Sequence, residues 1–335
     1  MGGLGEIVDN KLRVYFTIDT ETSIGGAWET GGSPVALERT VFGEVGSRCY
    51  GIPLIMDILE EFGFHGTFFV EVFCSSSLGL SGLASVFDVL QKRGHDVQLH
   101  LHPVQRFYAE YVKGGPRREQ DLLFQLSPAE QRQLIADGVS IFRHLSGRMP
   151  RAFRAGCYGA SEATLAALRE HGVVIDSSYN LAFLDKTCGF RNRPLNAPVL
   201  LEGVYEFPVT NFVSGGGGYK PLEISAVSVS EIIGAIRNLR QAGCRDVVLV
   251  FHSFSFLKER DSRFEKCRPD AVVIRRFRRL CSELARLRDE VQVSILGDAD
   301  VSAIRAPGSQ TVPKAPWVRS AMRKVVQGVN LIPWV

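Results

Sequence analysis

Apolar, β-rich runs alternate with segments of helical spacing along nearly the whole chain, and most of these runs end on an acid, a histidine or an arginine. Leu12 to Asp19 is the first. Gly66 to Val72, Val97 to Leu101, Ala152 to Ala155, Val173 to Ile175, Val204 to Val209, Val247 to Phe251 and Val291 to Leu296 follow it. Helical spacing is read over Ile52 to Phe62, Leu83 to Arg93, Ser127 to Leu145, Ser161 to His171, Val229 to Ala242 and Ala271 to Arg288. Gly63 stops the first of these helices, and SPAE at the start of the third reads as an N-cap with proline at N1. Strand, crossover helix and strand, repeated about eight times, predict an α/β fold whose parallel sheet closes into a barrel or something close to one. An open doubly wound sheet is the alternative, but no GxGxxG follows the first strand.

The 335 residues are 45% hydrophobic and 22% charged, a globular composition long enough for one large domain or two small ones. No Pro- or Ser-rich linker divides the chain before Ala306. A single domain is therefore expected over residues 1–300, with a basic C-terminal tail over 301–335. A formal charge of +3 gives no electrostatic case for a nucleic-acid partner. No apolar run approaches the ~20 residues of a membrane span. Seven scattered cysteines with no CxxC, and an N-terminus with neither a basic nor an apolar signal region, point to a reducing, cytoplasmic setting. The tail carries Lys314, Arg319, Arg323 and Lys324, no acid, and an apolar end, NLIPWV. It could dock on the domain, on a partner or, as a peripheral contact, on an anionic membrane surface, and docking in cis is the default expectation. The Arg-rich segment Val272 to Arg288 reads as a solvated outer helix.

The long irregular stretches, Thr22 to Gly51, Pro103 to Gln125, Ser178 to Gly203, Asn211 to Ala226 and Ser253 to Arg268, all follow strands. In a parallel barrel those connections share the carboxyl end, where sites are built. The strand-ending residues are Asp19 and Glu21, Glu71, His100 and His102, Arg154, Asp176 and His252. Two imidazole nitrogens and one carboxylate oxygen suit a divalent cation and leave a position for water, whose pKa the cation lowers towards ~7. A second carboxylate can then act as base, and a histidine on the opposite side can protonate a leaving amine.

In this order the residues resemble the metal-dependent polysaccharide deacetylases, the NodB-homology or carbohydrate esterase family 4 group. FTIDTE (Phe16 to Glu21) is similar to the first motif, usually TFDD. GIPLIMDILEEFGFHGTFFV is similar to the helix and strand that follow it. GHDVQLHLHP (Gly94 to Pro103) resembles the His motif, FRAGCYG (Phe153 to Gly159) the Arg motif and VFHSF (Val250 to Phe254) the final His motif. The resemblance runs from Val14 to Leu296 and implies a distorted (β/α)7–8 barrel. It implies hydrolysis of an N-acetyl group on an amino sugar, with Asp19 as general base, Arg154 as its partner, and Glu21 and His100 as metal ligands. The general acid would be His252, tuned by Asp176, and backbone N–H groups at Cys157 or Tyr158 would bind the oxyanion. Zinc is the metal first expected, with cobalt or nickel also suited.

Three departures accompany the resemblance. Thr20 separates Asp19 from Glu21, yet residues two apart on a strand share a face, so a D-x-E pair can serve one metal. Four residues past His100 stands Val104, which makes His102 the available second imidazole ligand. The tryptophan of the family's fourth motif is missing from IDSSYN. These changes, with the absent export signal, favour a sugar nucleotide, a lipid-linked sugar or a glycosylated small molecule over an external polymer. The alternatives are a deformylase or allantoinase-like C–N hydrolase on the same site, or a silent carbohydrate-binding relative. Glu71 is expected either to touch substrate or to pair with a structural cation. Trp28 reads as a sugar-stacking ring or a loop anchor, and SGGGGY (Ser214 to Tyr219) as a flexible turn or a lid. His95, His65, His144 and His171 are read as structural or inert.

Overall fold

Alternation along the first strand decides what lies inside. In β1 (Leu12–Thr20), Val14, Phe16 and Ile18 join the large apolar layer beneath the helices, while Tyr15 faces the other way. Tyr15 clusters there with Phe69, Ala152, Ile175, Phe207 and Val248, all of them buried. The same parity recurs in β2 (Thr67–Glu71), β3 (Asp96–Leu101), β4 (Ala152–Ala155), β5 (Ile175–Asp176) and β8 (Asp246–His252). One face of the curled sheet thus meets helices, and the other encloses a narrow apolar floor. Below that floor, Arg13 Nε donates to Asp246 Oδ1 at 2.7 Å and Tyr15 Oη donates to the same oxygen at 2.9 Å.

The computed structural model describes residues 11–191, 194–304 and 309–323. With β6 (Val199–Leu201), β7 (Val204–Glu206) and β9 (Val291–Ser294), the sheet order is β8-β1-β2-β3-β4-β5-β7-β6, and β9 also pairs with β1. All of these pairings are parallel except β6 with β7, an antiparallel edge within a stretch expected to be irregular. Closure back to β8 uses isolated bonds. Thr210 N donates to Val248 O at 3.1 Å, and Val250 N donates to Leu222 O at 3.2 Å. The result is the α/β, distorted barrel read from the sequence.

The crossover helices are α1 (Ile52–Glu61), α2 (Leu80–Lys92), α3 (Pro103–Val112), α4 (Pro128–Ser146), α5 (Glu162–Glu170), α6 (Val229–Gln241) and α7 (Ala271–Arg286). Ser127 caps α4 in a reciprocal box with Glu130, as the SPAE reading anticipates. Helix α3 lies where an irregular connection was expected. Its Val104, Phe107, Tyr108 and Tyr111 have helical spacing, and Pro103 opens it directly after His102. SGGGGY forms the turn between the paired strands Asn211–Val213 and Tyr219–Pro221, where Gly217 and Gly218 take positive φ. Residues 309–323 lie against this body. Ala315 N donates to Val213 O at 2.9 Å, and Arg323 forms a buried ion pair with Glu231 of α6, Nε to Oε2 3.0 Å. The apolar end NLIPWV and Lys324 of the tail lie outside the described residues. Among those described, no helix is long and apolar enough to cross a membrane.

Candidate active site

Glu21 follows β1 two residues after Asp19, and His102 follows β3 two residues after His100. Each pair therefore presents both side chains to the inner face at the carboxyl end of the sheet. Glu21 Oε2 lies 2.8 Å from His100 Nε2 and 2.8 Å from His102 Nε2. The second nitrogen of each ring is also committed. His100 Nδ1 is 2.8 Å from the carbonyl oxygen of Arg154, which can only accept, so the proton sits on that nitrogen. His102 Nδ1 is 2.6 Å from Asp121 Oδ2, while Asp121 Oδ1 accepts from Val104 N at 3.2 Å. Asp121 was not anticipated. It sits in the connection after α3, and nothing in its spacing from His102 announces the contact.

With both Nδ1 positions occupied, the two Nε2 atoms and the Glu21 oxygen converge as three acceptors. Such a meeting requires positive charge between them, from a proton or a cation. The ligating atoms of Glu21, His100 and His102 lie within 4.8 Å of one another, and this N,N,O set suits zinc, cobalt or nickel. The carboxylate and carbonyl behind the rings are the orienting partners that metal-bound imidazoles use. The electrostatics agree. Burial alone would depress the His102 imidazole, but Asp121 and Glu21 outweigh it and raise its pKa well above the ordinary histidine value. Burial would likewise raise Glu21, yet His102, His100 and His252 hold it well below the usual carboxylate range.

Asp19 and Arg154 form a second, drier layer. Arg154 is fully buried, and its guanidinium crosses the Phe69 ring at 4.4 Å to place Nη1 2.7 Å from Asp19 Oδ1. Its Nε and Nη2 donate to Ser177 O and Ser177 Oγ at 2.8 and 2.9 Å. Asp19 stands in register with His252 on β8, and His252 Nε2 lies 3.9 Å from Glu21 Oε1. The His252 ring stacks on Phe254, with centroids 5.1 Å apart. Past β4, Cys157 and Tyr158 have φ of 52° and 62°, a left-handed pair that non-glycine residues adopt only at a cost. Cys157 Sγ lies 3.7 Å from Asp121 Oδ2.

Two expected residues stand apart. Glu71 is in register with His100 but fully buried, and its two oxygens accept the N–H groups of Phe73 and Cys74 at 2.7 and 2.8 Å. It caps that turn and does not line the open cleft. Asp176 is not brought within 4 Å of His252. Ile175 takes the inward position on β5, so Asp176 faces the helical layer, where its carboxyl meets that of Glu206. Burial raises both acids, Glu206 well above its ordinary value, which favours a proton shared between them. The folded chain thus keeps a proton that the unfolded chain releases above the usual carboxylate range. Stability should fall as pH rises through the pair's elevated range. Glu206→Gln should flatten that slope, read as the urea midpoint as pH is raised from the usual carboxylate range, and an unchanged slope would dismiss the shared proton.

A cleft of about 510 Å³ opens over Glu21, His102 and Asp121, walled by Trp28, Phe254 and Phe264. Trp28 also packs edge-on against Tyr108 at 4.9 Å, so it anchors the loop while lining the cleft.

Neither a protein-family model nor a curated protein matches the chain. Solved structures do. A Mycobacterium smegmatis chain described as a polysaccharide deacetylase superposes with a TM-score of 0.55 at 17% identity, over 92% of this chain and 96% of that one. A Pseudomonas aeruginosa chain described in the same way gives 0.51 at 13% identity, over 86% and 90%. The allantoinase PuuE gives 0.51 at 12% identity, over 87% and 90%. The fold is that of the NodB-like polysaccharide deacetylases.

Proposed function

We propose that the chain is a divalent-metal-dependent amide hydrolase that removes an N-acetyl group from an amino-sugar substrate. The observation that carries this reading is the convergence of Glu21, His100 and His102, each imidazole held from behind, beside a buried Asp19 and an opposing His252. A divalent cation held there, zinc first among those the donors suit, would polarise the amide carbonyl and lower the pKa of the attacking water.

The protein's own groups divide the rest. Asp19 accepts the proton that the water loses as its oxygen bonds to the carbonyl carbon. Arg154 holds Asp19 in place, and the Cys157 and Tyr158 N–H groups donate to the carbonyl oxygen as it gains charge. His252 donates a proton to the nitrogen as the C–N bond breaks, leaving an amine and acetate. The Asp176 carboxyl, bound to Glu206, has no direct part in these transfers.

Acetate release tests the reading across N-acetylated sugars, sugar nucleotides and lipid-linked sugars, with N-formyl sugars and allantoin as competitors. Release is expected to vanish with a chelator and return with zinc. Turnover indifferent to the chelator would overturn the proposal. His100→Ala should shed bound metal, and Asp121→Ala should weaken metal affinity by about 10- to 100-fold. Metal analysis after dialysis reads both, and full retention in His100→Ala would sink the ligand assignment.

A further inference from the structure

On the far side of His252 and Phe254 lies a second cleft, of about 440 Å³, whose walls include Glu223, Ser225, Lys258 and Arg276. Lys258 projects from the paired strands Leu257–Glu259 and Cys267–Pro269, and its Nζ is buried without a hydrogen-bond partner among the described residues. No carboxylate lies within 4.0 Å of it there. A buried ammonium in that condition is costly unless something completes its coordination.

The acids sharing the cleft make their hydrogen bonds elsewhere, although Asp270 still acts on the Arg276 charge through space. Glu223 Oε1 accepts the Ser225 hydroxyl, and Asp270 Oδ1 accepts Val272 N and Val273 N at 3.0 and 3.1 Å, while Glu259 is turned to solvent. Arg276 is fixed at the wall by Nη1 donating to Ile224 O and Ser225 O at 3.1 and 2.6 Å, also with no acid within 4.0 Å among the described residues. Lys258, without a hydrogen-bond partner, and Arg276, held by two backbone carbonyls, therefore line the same space with no carboxylate in ion-pair contact among the described residues. Phe254 lines both clefts and His252 stands at the boundary, so one ligand can occupy both.

We propose that this cleft is an anion subsite, in which Lys258, assisted by Arg276, binds a phosphate or carboxylate carried by the substrate next to its N-acyl sugar. The inference rests on the amide-hydrolase reading for what occupies the first cleft, but binding can be measured without turnover. The probes are N-acetylglucosamine, its 1-phosphate, its 6-phosphate and N-acetylmuramic acid, titrated calorimetrically into the full-length, metal-loaded protein.

At least one charged sugar should bind about ten- to a hundredfold more tightly than the neutral sugar. Lys258→Met should remove that preference and Lys258→Arg should keep it. The phosphate and carboxylate arms identify the anion. Equal binding of all four sugars overturns the subsite, as does a preference that survives in Lys258→Met, which would place the anion at the metal ligands. A Lys258→Met protein that fails to fold leaves the sugar comparison in the unmodified protein, and loss of the preference in Arg276→Met, as the deciding measurements. Lysine-dependent binding without hydrolysis of these probes would support the subsite and leave the enzymatic reading to be decided by the acetate-release panel.

Discussion

Asp19→Asn is expected to lower amide turnover by about two to four powers of ten while the protein retains its bound metal. Asparagine keeps an oxygen for the Arg154 Nη1 proton, now 2.7 Å from Asp19 Oδ1, but it cannot take up the proton that water must lose. The three residues expected to hold the metal are untouched. Metal content and turnover measured on one preparation separate the two roles. Turnover near the unmodified level would remove Asp19 from the chemistry, and lost metal would make it a ligand.

Arg154→Met should carry the largest stability cost in the site, about 3–5 kcal/mol by urea unfolding. Methionine fills much of the same volume but leaves a buried carboxylate without its countercharge, and it strips Ser177 O and Oγ of their donor. The double variant Asp19→Asn/Arg154→Met should recover part of the loss, because removing the stranded charge is easier on the fold than leaving it. A cost below about 1 kcal/mol, or a double variant no more stable than Arg154→Met, would mean that the pair is not what holds this layer.

The inward-facing pairs were legible because strand geometry has a period of two. Asp19 with Glu21, and His100 with His102, could be placed on one face from spacing alone. Phase also explains the misplaced partner of His252. Strand β5 is two residues long, too short to display alternation, so nothing in IDSSYN reveals that Ile175 takes the inward position and Asp176 the outward one. Asp121 depends on the path of a connection over many residues, and loop paths leave no periodic trace. Helix α3 differs from both. Its apolar spacing is visible in PVQRFYAEYV, and only its place after the His motif made a loop the expected element. The edge strand β6, three residues with one exposed face, lacks the length from which pairing direction could be read.

Arg154 serves two parts of the site through different atoms: its side chain grips Asp19, while its carbonyl oxygen orients His100. Replacing the side chain should therefore disturb the base and spare the imidazole, whereas a displaced backbone cannot separate them. Enlarging a residue on the helical face of β4, such as Ala155, would shift the strand end as a unit and change proton abstraction and metal retention in step. Variants that lose metal retention alone should consequently arise outside this strand.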